Sequence, residues 1–413
     1  MIGVDEARER ILSHFRPLEA VDIPLLEALG LVAAADVVAS AAVPPFRNSA
    51  MDGYALRAAD AARAPVTLRV VDNVAAGTVS PLAVAAGEAM RIMTGAPLPA
   101  GADAVVRFEE TNEVDDPAPA RQRRVVEVRR APRTGDNVRE AGEDIAAGDV
   151  PIQAGTRLGP AAIGLLASLN LSSARVHRRP VVGILATGDE VAEVGAELGP
   201  GQIRNSNSYM LAALVRRYDG DPVLLGVARD SAADLRDALR HAGNADLLVT
   251  SGGVSVGDFD LVKDFMQSEG RVDVWQVRMK PGKPLAFGVI GSLPVLGLPG
   301  NPVAALVSFE QFGRPALLKM LGRTDLAMPT VRATLSEKLE NRGGRRHFVR
   351  GVLTRDDAGF RVHPTGERGS AVLTSAARSN CLIVVPETAD VVESGSVIDV
   401  QVPDPETLFT TLA

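Results

Sequence analysis

A chain of 413 residues is too long for a single hydrophobic core, so several domains are expected. Its net charge of −7, from 44 Lys and Arg against 51 Asp and Glu, excludes a general nucleic-acid binder but leaves room for a locally basic pocket. The one cysteine, Cys381, excludes an internal disulfide and a cysteine-only metal cage; within the run Cys381-Leu382-Ile383-Val384-Val385 it reads as a core residue, in keeping with a reducing cytosol.

The N-terminal stretch MIGVDEARERILSHF is amphipathic and charged, unlike a basic-then-apolar leader. No apolar run approaches the ~18–20 residues of a membrane span, so a cytoplasmic protein without a membrane or nucleic-acid partner is expected. Val4 to Phe15 reads as a helix, and Leu25 to Ala35 as a second helix or helix-turn leading into a strand through Val37 and Val38. Pro44-Pro45-Phe46-Arg47-Asn48-Ser49-Ala50-Met51-Asp52-Gly53-Tyr54 has the composition of a loop of fixed geometry. Short β runs follow at Val66–Val71, Glu88–Met93 and Val105–Phe108, then an alternating basic stretch, Arg121–Arg133, and a turn at Arg139–Ile145. Residues 44–148 therefore read as a β-rich insertion.

An apolar helix starts at Pro160, and from Val181 strands and helices alternate. Strands are expected at Val181–Leu185, Pro222–Val227, Asp246–Thr250, Val272–Val277, Leu285–Ile290 and Val295–Leu298. Helices are expected at Asn207–Tyr218, Ser231–Ala242, Leu261–Gly270 and Val303–Leu321. That alternation argues for a parallel sheet covered on both faces. From Met328 the chain returns to β runs separated by turns, at Thr330–Leu335, His347–Leu353, Cys381–Val385 and Ser396–Val402. The fold class is thus α/β plus β: a central open α/β domain, a β-rich insertion and a small C-terminal β domain.

Chemistry concentrates where expected strands end. Asp246–Thr250 breaks into Ser251-Gly252-Gly253, with Ser255, Gly257, Asp258 and Asp260 following. Glycines permit close backbone approach, and free amides at a helix start favour anions. Two carboxylates in such a loop point to a divalent cation between protein and anion. Thr187-Gly188-Asp189-Glu190, Asp230 and Asp260 each follow a strand, although Asp230 before Ser231 also suits an ordinary helix cap. Lys280-Pro281-Gly282-Lys283-Pro284 puts two cations on a stiffened turn, suited to a diphosphate or oxyanion, while lysines in loops are commonly just solvated. Leu298-Pro299-Gly300-Asn301-Pro302 is a helix-entry turn with Pro302 at the first helical position. Arg345, Arg346 and Arg350 with Ser370 and Ser375 could hold a tetrahedral oxyanion, although by themselves the residues favour an arginine-rich surface strand. The five histidines have no ligand spacing, and no zinc site or Ser-His-Asp arrangement is present in the pattern.

Seven motifs occurring in order carry a resemblance. Asn48-Ser49-Ala50-Met51-Asp52-Gly53-Tyr54-Ala55, Arg91-Ile92-Met93-Thr94-Gly95-Ala96-Pro97 and Gly142-Glu143-Asp144-Ile145 are the first three. Thr187–Glu190, Ser251–Gly257, Lys280–Pro284 and Leu298–Pro302 complete the set. Together they resemble the molybdopterin molybdenumtransferases of the MoeA type, to which the C-terminal part of gephyrin is also related. The resemblance implies a four-domain homodimer with a central domain similar to the molybdopterin adenylyltransferases. Its segments would be 1–22 with 177–326, 23–43 with 149–176 for linking and dimerisation, 44–148, and 327–413.

The implied reaction takes adenylylated molybdopterin and molybdate with Mg²⁺, releases AMP and forms the molybdenum cofactor. By motif match, Asp52, Thr94, Asp144, Glu190, Asp230 and Asp260 are assigned to catalysis, with Glu190, Asp230 and Asp260 also handling Mg²⁺. Ser251, Gly252, Gly253, Ser255, Gly257, Lys280, Lys283, Pro299, Pro302, Arg350, Ser370 and Ser375 are assigned to substrate or molybdate. A molybdopterin adenylyltransferase and apo-molybdoenzymes are implied partners. Arg47, Ala186, Ser231, Gln276 and the pair Arg107-Phe108 depart from the usual pattern without removing any assigned residue. Two other readings are an adenylyltransferase, against which the extra β regions speak, and a gephyrin-like scaffold, which has no need of the assembled acids.

Overall fold

The computed structural model describes residues 1–115, 123–229, 231–253, 268, 270–357, 359–366 and 369–404. Two compact units result: Met1–Ala34 with Gly155–Gly159 and Arg175–Ala413, and Ala35–Ala154 with Pro160–Ala174.

The larger unit is built on a six-stranded sheet. Its order is Asp221–Ala228, Val181–Thr187, Leu247–Ser251, Leu293–Leu298, Pro284–Ile290, Gly270–Gln276. Alternation along each strand sends side chains to two covered faces. Val182, Ile184, Leu247, Val249, Leu296 and Leu298 face one core with Val4, Ala7, Ile11, Leu211, Val215 and Leu317. Leu185, Leu248, Val295 and Ala286 face the other with Leu235 and Ala238 of the helix Ala232–Ala242. Each fully buried aliphatic side chain contributes about 1.5–3 kcal/mol relative to exposure, so the doubled core fixes the strand ends that follow.

The expectation of a parallel sheet holds for the first four strands only. Pro284–Ile290 runs antiparallel to Leu293–Leu298, and Gly270–Gln276 antiparallel to Pro284–Ile290. Only Gly291 and Ser292 separate Ile290 from Leu293, too few for a crossover, whereas a hairpin closes in two residues with Gly291 at φ 61°. The helix expected at Leu25–Ala35 is likewise replaced by a turn. After one turn, Gly30 takes φ 86°, its N–H donates to the Leu158 carbonyl, and Leu31 accepts from the Leu158 N–H. Backbone groups committed to that pairing are not available to a helix.

The expected helix Val303–Leu321 is one helical run with a π-helical segment, Phe309–Gly313, between Pro302–Ser308 and Arg314–Met320. The segment buries Glu310, whose carboxylate accepts a 2.7 Å hydrogen bond from the Tyr218 hydroxyl. Burial raises the Glu310 pKa.

The C-terminal strands close on themselves. Arg346–Asp356 pairs with Gly359–Pro364, which pairs with Thr330–Leu335, then Val397–Gln401, then Cys381–Val385, which returns to Arg346–Asp356. Closure removes free edges, and the interior is filled by Leu335, Val349, Val362, Ile383 and Val400. Cys381 is buried here, and burial pushes its thiol up to about 12, as suits a core residue.

The smaller unit contains a five-stranded sheet ordered Ala104–Arg107, Gly53–Leu56, Glu88–Ile92, Val66–Val74, Val125–Val128. Tyr54, Leu56, Ala89, Val106 and Val126 pack on one face, and Ala55, Met90, Ile92 and Val105 on the other. Gly53 is required by the sheet itself: a Cβ there would meet the Val106 carbonyl. The helix Pro160–Ser168 belongs to this unit, and of its residues only Leu166 is buried.

Candidate functional site

In the larger unit, two cavities meet at the carboxyl ends of the parallel strands, where ligands bind in open α/β sheets. The first, about 410 Å³, is lined by Thr187, Glu190, Asn205, Asn207, Ser251, Gly252, Gly253, Pro299, Gly300 and Pro302. The second, about 280 Å³, is lined by Lys280, Lys283, Arg345, His347, Arg350, Thr365 and Ser370. Pro284, Pro299 and Asn301 line both.

The first cavity owes its shape to glycine. Gly252 has φ 99°, and a Cβ on it would lie 2.6 Å from the Thr187 carbonyl oxygen. The chain can therefore leave the strand Leu247–Ser251 only where no side chain intervenes. Gly188, at φ 129°, carries the Glu190 carboxylate against its backbone, in the space a Cβ would need. Asn207 ties two loops together: its Nδ2 donates to Ser251 Oγ and to the Gly300 carbonyl, both at 2.7 Å. Pro302 occupies the first turn of its helix, and Asn301 before it makes no side-chain cap.

The second cavity is cationic. Among the described residues no carboxylate pairs with Lys280, Lys283 or Arg345, so their charge faces the space between them. Lys280 is held there by the pairing of Met279–Lys280 with Arg346 and His347. Arg350 is buried, and its Nε donates to Ser375 Oγ at 2.8 Å while its Nη2 donates to the Gly369 carbonyl at 3.2 Å. Ser375 is itself buried behind that guanidinium and lies 2.6 Å from Thr365 Oγ1. Ser375 thus orients Arg350, and Ser370 lines the cavity. Arg346 has a different occupation: it pairs with Asp5 at 2.9 Å and with Glu387 at 3.0 Å, which raises its pKa.

In the smaller unit, Asp52 and Thr94 are in contact. The Thr94 backbone N–H and its Oγ1 both donate to Asp52 Oδ1 at 2.7 Å. Those bonds, with the nearby Arg91 cation adding to them, hold the exposed carboxyl below its ordinary range. Arg91 is fixed in turn by Glu113 at 2.7 Å and by stacking over Phe108 at 4.2 Å. Asp144 lies beside Asn48, Arg139 and Glu143 around a hollow of this unit. The departure Arg47 is paired with Glu140 at 2.9 Å.

Of the residues expected from sequence, Glu190, Ser251, Gly252, Gly253, Pro299 and Pro302 line the first cavity. Lys280, Lys283, Pro299, Arg350 and Ser370 line the second. Asp230, Ser255, Gly257 and Asp260 lie outside the described residues. Arg345, grouped with Arg350 and Ser370 in the sequence, lines the second cavity with them, whereas Asn207 and His347 line the cavities without being marked by any motif. Asn207 sits in the run Arg204-Asn205-Ser206-Asn207, where Asn205 already serves as the helix cap, and a second Asn one step inside the helix was the available signal.

Comparison with known proteins gives a consistent result along the chain. Residues 2–170 match the MoeA N-terminal region (domain I and II), 183–319 a probable molybdopterin binding domain, and 332–402 the MoeA C-terminal region (domain IV). A molybdopterin molybdenumtransferase of Haemophilus influenzae is 35% identical over 97% of this chain and 98% of its own length. Molybdopterin molybdenumtransferase 2 of Mycobacterium tuberculosis is 40% identical over 98% of this chain and 100% of its own. The crystal structure of a molybdopterin biosynthesis MoeA protein from a Pyrococcus species superposes with a TM-score of 0.83 at 31% identity, covering 98% of this chain and 99% of that one.

Proposed function

The chain belongs to the molybdopterin molybdenumtransferase family, and from that premise we propose that it inserts molybdenum, supplied as molybdate, into adenylylated molybdopterin with release of AMP. The observation that carries this reading is the joining of two unlike cavities through Pro284, Pro299 and Asn301. A small tetrahedral dianion fits the cationic one, where Lys280, Lys283, Arg345 and Arg350 supply charge. An organic ligand with ring and hydroxyl groups fits the other, whose wall combines amides, hydroxyls and backbone with prolines, Glu190 and Arg204.

Cleaving a phosphoanhydride requires negative charge to be neutralised and an oxygen nucleophile to be held in line. The lysines and Arg350 do the first, and an oxygen of molybdate or water held beside them is the second. Asp52, kept ionised by Thr94, is suited to orient a proton-bearing group. Glu190 offers a hard oxygen ligand at the cavity wall, and Mg²⁺ there would supply further neutralisation of phosphate charge. Asp230 and Asp260, which the motif match assigns to the same ion, lie outside the described residues. The apolar helix Pro160–Ser168, buried only at Leu166, supports a homodimer.

The test is AMP release from adenylylated molybdopterin by the purified chain with Mg²⁺, with and without molybdate. Molybdate-dependent release is expected. Tight binding of the pterin nucleotide with no release in either condition would favour a scaffold instead.

A further inference from the structure

Asn207 stands in the first turn of the helix Ser206–Arg217 with an unusual allotment of its amide. Its two Nδ2 hydrogens are used, on Ser251 Oγ and the Gly300 carbonyl. The second of these partners can only accept, which fixes the amide orientation and leaves Oδ1 as the atom facing away from both loops. Oδ1 is buried and has no hydrogen-bond partner among the described residues, although Asn207 lines the larger cavity. Asn205, two residues earlier, is the contrast: its Oδ1 accepts from the Ser208 N–H and its Nδ2 donates to Glu193. Both heavy atoms of its amide thus have partners within the fold.

A buried acceptor left unpaired costs stability, and the cost is met where a ligand supplies the missing donor. We propose that Asn207 is a substrate-reading residue: its Oδ1 accepts a hydrogen bond from an N–H on the heterocycle of the bound nucleotide, while its Nδ2 holds the Ser251 and Gly300 loops. Both atoms act together, because the loops that Nδ2 holds are the walls against which the ring rests. A donor is required since Oδ1 cannot donate; an unprotonated phosphate or molybdate oxygen offers none, whereas the ring N–H groups of the nucleotide do. Phosphate and molybdate are thereby directed to the cationic cavity and the ring to this one. The inference rests on the reading of the site given above.

The experiment measures dissociation constants of the full-length wild-type chain and Asn207→Ala for adenylylated molybdopterin, molybdopterin, AMP and molybdate. Loss of one hydrogen bond predicts weakening of adenylylated molybdopterin by about threefold to tenfold, with molybdate unchanged. The same loss for molybdopterin but not AMP would place the pterin on Asn207, and for AMP but not molybdopterin, the adenine. Equal weakening of molybdate would show that Asn207 only holds the Gly300 loop shared by both cavities, and would overturn the proposal. Unchanged affinity for all four ligands would overturn it too. A wild-type chain that binds neither adenylylated molybdopterin nor molybdate would instead count against the underlying reading. Asn207→Asp keeps an acceptor but sets a carboxylate against the Gly300 carbonyl; it should lose stability while retaining more pterin-nucleotide affinity than the alanine variant.

Discussion

The two units carry their functional groups in opposite ways. In the larger one they surround enclosed space: Arg350 is buried on Ser375, the glycine loop is shaped by Thr187, and three cations stand without carboxylate partners among the described residues. In the smaller one Asp52 is exposed in the bend that precedes the strand Gly53–Leu56, its carboxylate held by two bonds from Thr94. A cavity with preset charge is a device for binding, because its cost was met during folding. An exposed, ionised acid on a firm support binds little by itself and is suited to act on something bound. Under the proposed function, the contrast makes affinity the expectation for the larger unit and reactivity the expectation for Asp52.

Breaking the enclosed side should have the largest effect. Gly252→Ala places a Cβ against the Thr187 carbonyl at a φ that side chains avoid, so a loss of about 2–4 kcal/mol in unfolding free energy is expected by denaturant titration, together with loss of pterin-nucleotide binding. Arg350→Ala removes a charge-assisted partner from the cationic cavity; molybdate affinity should fall on the order of 10–100-fold in a calorimetric titration. On the exposed side, Thr94→Ala keeps the backbone donor to Asp52 but loses the hydroxyl, and a few-fold fall in turnover is expected with substrate affinity unchanged.

The same variant sharpens the contrast through pH. Asp52 has a lowered pKa, so its folded form stays ionised below 3.8, the ordinary value. Any stability it contributes is present above that value and is lost as pH falls through the lower folded one. An acid limb of turnover that depends on the Asp52 carboxylate should accordingly move to higher pH in Thr94→Ala. Arg346→Ala should have the smallest effect: about 1 kcal/mol or less of stability from its pairs with Asp5 and Glu387, and no change in molybdate affinity.

Much of this was legible in the sequence, for local reasons. The apolar run at Leu247–Thr250 followed by Ser251-Gly252-Gly253 specifies a buried strand and a close approach without knowledge of the remainder. The hairpin direction at Pro284–Leu298 was legible too, in its two-residue connection, but strand–helix alternation elsewhere outweighed it. The turn after Pro24 was not, because its backbone partner Leu158 lies far along the chain. Nor could sequence sort Arg345 from Arg346: only tertiary partners, Asp5 and Glu387, draw one of two adjacent arginines away from the cavity. Ser375 as the support of Arg350, and the unpaired oxygen of Asn207, are likewise products of packing.

The division between binding and reactivity is tested most directly by titrating molybdate into the full-length wild-type chain, Arg350→Ala and Asp52→Asn under identical conditions. The account predicts that Arg350→Ala loses molybdate affinity while Asp52→Asn binds it as the wild type does and turns over more slowly. Equal loss in both variants, or full retention in Arg350→Ala, would contradict it.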